Sequence, residues 1–241
     1  MAFNNYLIHH TSLNAPSRFV RLLFAEKGID FNLKQEKFWE KSNDFRVLNH
    51  SGTVPVLELQ DVVICGAIPI SEYLEEEILG KKLYGETYAQ KAENRRLVEW
   101  FMHNFETEVN RYIVEERVFK YLQGKPSNSQ KIQIGRANMR NHLRYLDTML
   151  IEFLPDGSKN YLHENRENVL NCSALGAGDF AAASCISVLD YLGEINWIDY
   201  KNIADWYCRV KSRPSFKSIL EDYISFMKPS KHYKNLDFQN D

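Results

Sequence analysis

The residues of this chain whose types and spacing suit chemistry sit ahead of a helix, before a strand and at a second helix start. Asn14-Ala15-Pro16-Ser17-Arg18 opens a helix, where free N–H groups and the positive end of the dipole hold an anion such as a thiolate. The Asn14 amide can donate a hydrogen bond to a thiolate but is no nucleophile, so cysteine-dependent reductase chemistry at this position is excluded. Ser12, two residues earlier, reaches the same spot only if the loop rearranges. Val54-Pro55-Val56 places a proline between β-branched residues directly before a strand. It enters the sheet as a first or edge residue, in a turn of the kind that uses the cis isomer, and is expected to face the helix start near Asn14. Asp179, in Gly176-Ala177-Gly178-Asp179, is placed to accept backbone hydrogen bonds at a helix start, a structural role. His9-His10 invite a metal reading, but neighbours on a strand point to opposite faces and cannot share one ion, so one buried and one exposed histidine are expected. Glu75-Glu76-Glu77 reads as a solvated helix face.

These residues need elements to position them, and the first third supplies alternating strand and helix. Tyr6-Leu7-Ile8 is a short strand. Phe19, Leu22, Leu23 and Glu26 fall at helical spacing between Pro16 and Gly28, with proline in the first turn and glycine as the stop. Ile29 to Leu33 is a second strand and Asn43 to Leu48 a short helix. Val56–Leu59 and Val62–Ile64 flank the turn Gln60-Asp61 as a hairpin, and Gly66 to Leu79 is a helix ended by Gly80. The order βαβαββα is that of a thioredoxin-like domain, which makes the fold class α/β followed by all-α. The boundaries expected are 1–81 for the first domain, 82–90 for a linker, 91–228 for a helical domain and 229–241 for a tail. Phe101, Phe105, Val109, Tyr112 and Ile113 recur at helical spacing, as do Met139, Leu143, Leu146 and Leu150. Further helices are expected at Gly178 to Leu192, Asn202 to Ser212 and Ser215 to Ser225, with Arg213-Pro214 separating the last two. The tail carries His232, Tyr233, Leu236 and Phe238 and is expected to pack back onto the body.

Composition narrows the function classes. Hydrophobic residues make up 44% of the 241, enough for a substantial core. Thirty basic residues against 32 acidic leave a net charge of −2, no single-sign field to recruit nucleic acid. The start has no secretion-signal pattern and no stretch reaches the length of a membrane span, so neither export nor membrane insertion is expected. Of Cys65, Cys172, Cys185 and Cys208 no two are close enough for a CxxC redox or zinc pair. Buried, reduced thiols in a cytoplasmic protein, without metal, are expected.

With Pro16-Ser17-Arg18, Val54-Pro55 and the run Ile68 to Leu74, the chain resembles the glutathione transferases. The resemblance implies a hydroxyl or thiol at the first helix start, a backbone pairing with glutathione at the residue before the proline, and an acidic-Ser pair opening the third helix. By its count the first falls at Asn14, the second at Val54-Pro55, and the third at Gly66-Ala67, which cannot hold the γ-glutamyl group. Asn14, Val54 and Pro55 thus form a degenerate glutathione site, and no catalytic residue and no cofactor are expected.

A closer likeness runs over nearly the whole chain. His9-His10, Ser17 to Leu22, Phe38-Trp39-Glu40, Cys65-Gly66, Glu72 to Glu76, Leu189 to Gly193, Trp206-Tyr207, Lys211 to Phe216 and His232-Tyr233-Lys234-Asn235-Leu236-Asp237-Phe238 resemble the FzlA family. These are glutathione-transferase-like cell-division factors of alphaproteobacteria that bind FtsZ filaments. The resemblance implies a homodimer, no demonstrated need for glutathione, and a filament-binding surface at Trp39, Leu236, Asp237 and Phe238. The reading is a non-catalytic FtsZ-binding regulator of division. The alternatives are a glutathione S-transferase acting on small electrophiles through a thiol site near Asn14, and a protein holding another small ligand between its domains.

Overall fold

A computed structural model describes residues 6–60, 62–151 and 175–236. The first unit runs β1 (Leu7–His10), α1 (Ala15–Glu26), β2 (Asn32–Gln35), a 3-10 turn at Phe38–Glu40, α2 (Asn43–Leu48), β3 (Val56–Leu59), β4 (Val62–Cys65) and α3 (Ala67–Glu77). The four strands form one sheet in the order β2-β1-β3-β4, with β1 and β2 parallel and the other pairs antiparallel. This is the expected order, with a displaced second strand. Ile29 and Phe31 pack against the core instead of pairing, Phe31 edge-on to Phe24 at 5.5 Å. The displacement follows from how α1 ends. Gly28 takes φ 67°, its N–H bonds Ala25 O and that of Ile29 bonds Phe24 O, which is a Schellman closure that turns the apolar pair under the helix.

α3 ends two residues before the expected Leu79, because the connection beyond it folds back. The Glu75 carboxylate accepts from Leu83 N at 2.9 Å and Tyr84 N at 3.3 Å, and Lys27 Nζ donates to Lys81 O at 2.9 Å. Glu75 is therefore buried and only Glu76 and Glu77 are exposed, which corrects the solvated-face reading of the triplet.

The second unit is helical. α4 (Tyr88–Glu99) starts on a capping box between Thr87 and Gln90, a few residues before the expected 91. It continues without a break through a π-helical segment at Trp100–Asn110, α5 (Arg111–Val114), a second π segment at Glu115–Phe119 and α6 (Lys120–Leu122). α7 (Ser129–Ile151), α8 (Ala177–Tyr191) and α9 (Lys201–Lys211) follow, then a 3-10 turn at Pro214–Phe216 and α10 (Lys217–Leu220). Every residue of α8 is buried. The last helix is shorter than the expected Ser215–Ser225 because the chain leaves it to dock: Ile224 N donates to Tyr191 Oη, which donates to Met227 O. Beyond it Tyr233 is fully buried, its hydroxyl on Ile219 O at 2.9 Å. Among the described residues no helix is long and apolar enough to cross a membrane.

At the start of α8 the capping residue is a glycine, with no side chain to accept from the first-turn N–H groups. Asp179 Oδ2 accepts from Gly176 N at 2.9 Å and its Oδ1 from Trp206 Nε1 at 2.8 Å, while Asn94 Oδ1 reaches in from α4 to accept from Gly178 N. A Cβ at Gly176 would lie 2.7 Å from that Asn94 oxygen, so the glycine makes room for the borrowed cap. Burial raises the Asp179 carboxyl to about 7 against these donors.

The two units are bolted through α1. Arg18 donates to Ser12 O at 2.7 Å and to Ser187 Oγ on α8 at 2.8 Å, and pairs with Asp222 at 3.1 Å. Arg21 meets the same carboxylate at 2.9 Å and donates to Ser218 O. At the far end of α1, Glu26 takes Arg213, Lys81 and Ser215. Burial alone would raise the Glu26 carboxyl, but those partners outweigh it and hold it at about 2, below the ordinary 4.5.

Two outcomes follow for stability. Asp222→Asn leaves two buried guanidinium groups without their anion and is expected to cost about 3–5 kcal/mol in urea unfolding; a loss below about 1 kcal/mol would show that the neutral acceptors suffice. Glu26, with a depressed folded pKa, contributes stability that is present above 4.5 and lost as the pH falls through about 2. The gap between the unmodified chain and Glu26→Gln is expected to be on the order of 3 kcal/mol at neutral pH and to close across that window, as read by acid titration of the unfolding midpoint.

Candidate functional site

The front of α1, the loop before β3 and the long helical run enclose a cleft of about 270 Å³ between the units. Leu13, Asn14, Pro16, Phe38, Thr53 and Val54 line it from the first unit. The opposite wall is Met102, Glu106, Thr107, Asn110 and Arg111, then Val114, Glu115 and Phe119 one turn on.

The structure brings Asn14 and Val54 together here. Asn14 Oδ1 accepts from Ser17 N at 2.9 Å and Ser17 Oγ at 2.7 Å, so the side-chain oxygen is committed to capping α1 and only the amide nitrogen remains to donate. Ser12 is not on the cleft wall; its carbonyl holds Arg18 and its hydroxyl faces Gln35. The Val54-Pro55 bond is cis, and Pro55 O accepts from Gly66 N at 3.0 Å. Among the described residues neither the N–H nor the C=O of Val54 has a hydrogen-bond partner, so a strand-like edge faces the cleft. Gly66, ahead of α3, sits at φ 94° and ψ 149°, a backbone region essentially restricted to glycine. The missing acidic anchor is thus built into the main chain: a Glu placed at Gly66 would strain it even though a Cβ there has ordinary room against Pro69.

The histidine pair departs from expectation, since both are buried. His9 lies between Glu36 Oε1 at 2.8 Å and Glu58 Oε2 at 3.1 Å. His10 is held neutral, its pKa lowered to about 3 by burial and by Arg21 and Arg18. Among the described residues no group of three potential metal ligands converges. Among the described residues Cys65 and Cys208 are half-buried and Cys185 fully buried, none of them in a disulfide, and Cys172 lies outside the described residues.

Trp39 is half-buried. Its ring stacks on Phe119 with centroids 5.5 Å apart, and Phe38 packs edge-on to both. The turn at 38–40 is thereby pinned to the helical unit, and one face of Trp39 is packing. Leu236 is 46% exposed, while Asp237 and Phe238 lie outside the described residues. The cleft also holds groups that sequence reasoning missed. Glu106 is half-buried on its wall, with Asn110 Nδ2 donating to Oε2 at 2.9 Å. Burial raises its carboxyl to about 7, against the pull of Asn110 and Arg111. The available signal was a carboxylate directly beside the apolar stripe of Phe105, Val109 and Ile113.

Residues 16–77 match the family model for the glutathione S-transferase N-terminal domain. Over 237 residues, 96% of this chain and 97% of the relative, the sequence is 36% identical to FtsZ-localized protein A of Caulobacter vibrioides. Two solved structures, FzlA from C. crescentus and a glutathione S-transferase from Sinorhizobium meliloti 1021, each superpose with a TM-score of 0.85 over 97% of this chain and all of theirs, at 34% and 38% identity. With likeness of that extent at both levels, the chain belongs to the glutathione-transferase-like family of FtsZ-localized protein A.

Proposed function

We propose that this chain is a non-catalytic glutathione-transferase-fold protein that binds FtsZ filaments in the cytoplasm and regulates cell division as a homodimer. The observation that carries the reading is the 36% identity to FtsZ-localized protein A across 96% of the chain. The site supports it from the other side. Asn14 is no nucleophile and its oxygen is spent on a helix cap, and the position of the γ-glutamyl anchor is a glycine in a conformation that only glycine adopts readily. The partner surface is proposed at the outer edge of Trp39 and at Leu236, Asp237 and Phe238. Aromatic anchors such as Trp39 carry much of the binding energy at protein interfaces.

The free backbone edge at Val54 favours a second reading, a glutathione S-transferase whose thiol is assisted by the Asn14 amide. The two readings separate on affinity. Without a charge-assisted anchor worth about 1.5–3 kcal/mol, glutathione is expected to bind roughly 10- to 100-fold more weakly than to a complete site. Micromolar binding in a calorimeter would instead favour the enzyme.

For the filament, Leu236→Lys and Asp237→Lys are each expected to weaken co-sedimentation with polymerised FtsZ by about 2 kcal/mol while leaving the melting temperature unchanged. Trp39→Ala is expected to weaken it similarly and also to lower the melting temperature, because the ring packs on Phe119. Undiminished co-sedimentation of all three variants would remove this surface.

A further inference from the structure

Largely buried carboxylates in this protein have partners that account for their charge. Glu26, Glu75, Glu116, Asp190 and Asp222 each hold a lysine or arginine, and Asp179 accepts a backbone N–H and an indole N–H. Glu106 differs. Its hydrogen-bond donor is the neutral Asn110 amide, and among the described residues no ammonium or guanidinium lies within ion-pairing distance of it. It stands on the wall of the inter-domain cleft, inside the π-helical segment Trp100–Asn110, a kind of distortion frequent at functional sites. Asn110, which also lines that wall, is almost fully buried, and its side chain faces both Glu106 and the Cys185 thiol on α8. The surroundings are apolar and aromatic: Phe38, Val54, Met102 and Phe119. At about 270 Å³ the cleft sits near the lower limit for small-molecule pockets, roughly 300 Å³.

We propose that this cleft binds small primary ammonium compounds with a flat apolar body, the cation seated on the Glu106 carboxylate and the body between Phe38 and Phe119. An ammonium supplies the charge that Glu106 lacks, and an aromatic-lined pocket favours a cation with an apolar stem. An anionic head meets two carboxylates on this wall, Glu106 and Glu115, against the one guanidinium of Arg111. The proposal does not depend on the filament reading, since it uses neither Trp39 nor the tail.

Binding is coupled to a proton, because the cation takes the ionised carboxylate. The groups that act on Glu106 are Asn110 and Arg111 on its own run and the Cys185 thiol on α8, with Glu115 a turn further on and the uncharged Asn14 and Thr53 across the cleft. With the Glu106 carboxyl at about 7, the affinity for an ammonium is expected to rise about tenfold between roughly pH 6 and pH 8 and then level off.

The experiment is a titration of the full chain with benzylamine, beside its neutral counterpart benzyl alcohol and the anion benzoate, followed by calorimetry or ligand-observed NMR. Saturable binding of benzylamine is expected, at least tenfold tighter than benzyl alcohol, with the stated rise with pH. Glu106→Gln, which keeps the shape of the side chain and a hydrogen bond to Asn110, is expected to erase the preference while melting at the same temperature or higher. Met102→Trp, which fills the cleft, is expected to abolish binding, and Glu115→Gln to leave it intact. No saturable binding of benzylamine in the millimolar range, equal affinity for the amine and the alcohol, or a preference that survives Glu106→Gln would each overturn the proposal.

Discussion

Arg18 and Arg21, one turn apart on α1, are both sunk below the surface and share the single carboxylate of Asp222. Two guanidinium groups are costly to desolvate without an anion and further hydrogen-bond acceptors. The acceptors come from three separate stretches of chain: Ser12 ahead of α1, Ser187 on α8, and Ser218 with Asp222 near the C-terminus. Satisfying the two charges therefore fixes α1 against the helical unit and ties down the segment that leaves α10. Everything at the cleft inherits this constraint, because Leu13, Asn14 and Pro16 on one wall are the residues that immediately precede Arg18. The same cluster explains why His10 stays neutral, with two fixed positive charges beside an imidazole already removed from water.

Where a residue's role is decided by its immediate neighbours, the sequence was readable. Pro16 and Gly28 bracket α1, the spacing of Phe101, Phe105 and Val109 gives the long helix, and Val54-Pro55 marks the entry to β3. Roles assigned by distant residues were not readable. Glu75 looks like its exposed neighbours until Leu83 and Tyr84 fold back onto it, and strand alternation gives no sign that His9 and His10 are both buried. Asn94 completes a helix cap more than eighty positions away, which no local pattern announces. Glu106 has the same history: helical spacing puts it next to the core stripe, but only the arrival of Asn14 and Val54 from the other unit makes that flank a cleft wall.

On the proposed non-catalytic reading, the site keeps what costs the fold nothing and lacks what would serve a thiol. The main-chain edge at Val54 comes with the proline turn, whether or not a tripeptide pairs with it. The charged anchor, by contrast, is replaced by Gly66 at φ 94°, and the helix-start side chain by an asparagine whose oxygen holds the helix together. A single substitution does not reverse this, because the glycine's backbone is set by the Gly66 N–Pro55 O bond and by the turn into α3.

Phe38 and Trp39 show how little separates the two surfaces of this protein. They are consecutive, sit in one 3-10 turn and both lean on Phe119, yet Phe38 lines the cleft while Trp39 does not. Aromatic pairs of this geometry contribute about 0.5–1.5 kcal/mol beyond their buried area. The turn is thus held from the helical side through Phe119 and from the sheet side by Phe38 packing with Phe45, Val54 and Val56, while the β2 edge before it is exposed along its length. Removing the Trp39 ring takes one support from Phe119, and Phe119 is itself a cleft residue. For that reason a partner surface at this turn and a ligand in the cleft share one wall, and loss of function at Trp39 alone cannot assign a role to either. The exposed Leu236, far from Phe119 in sequence and tied to the body through Tyr233, gives the cleaner separation of partner binding from packing.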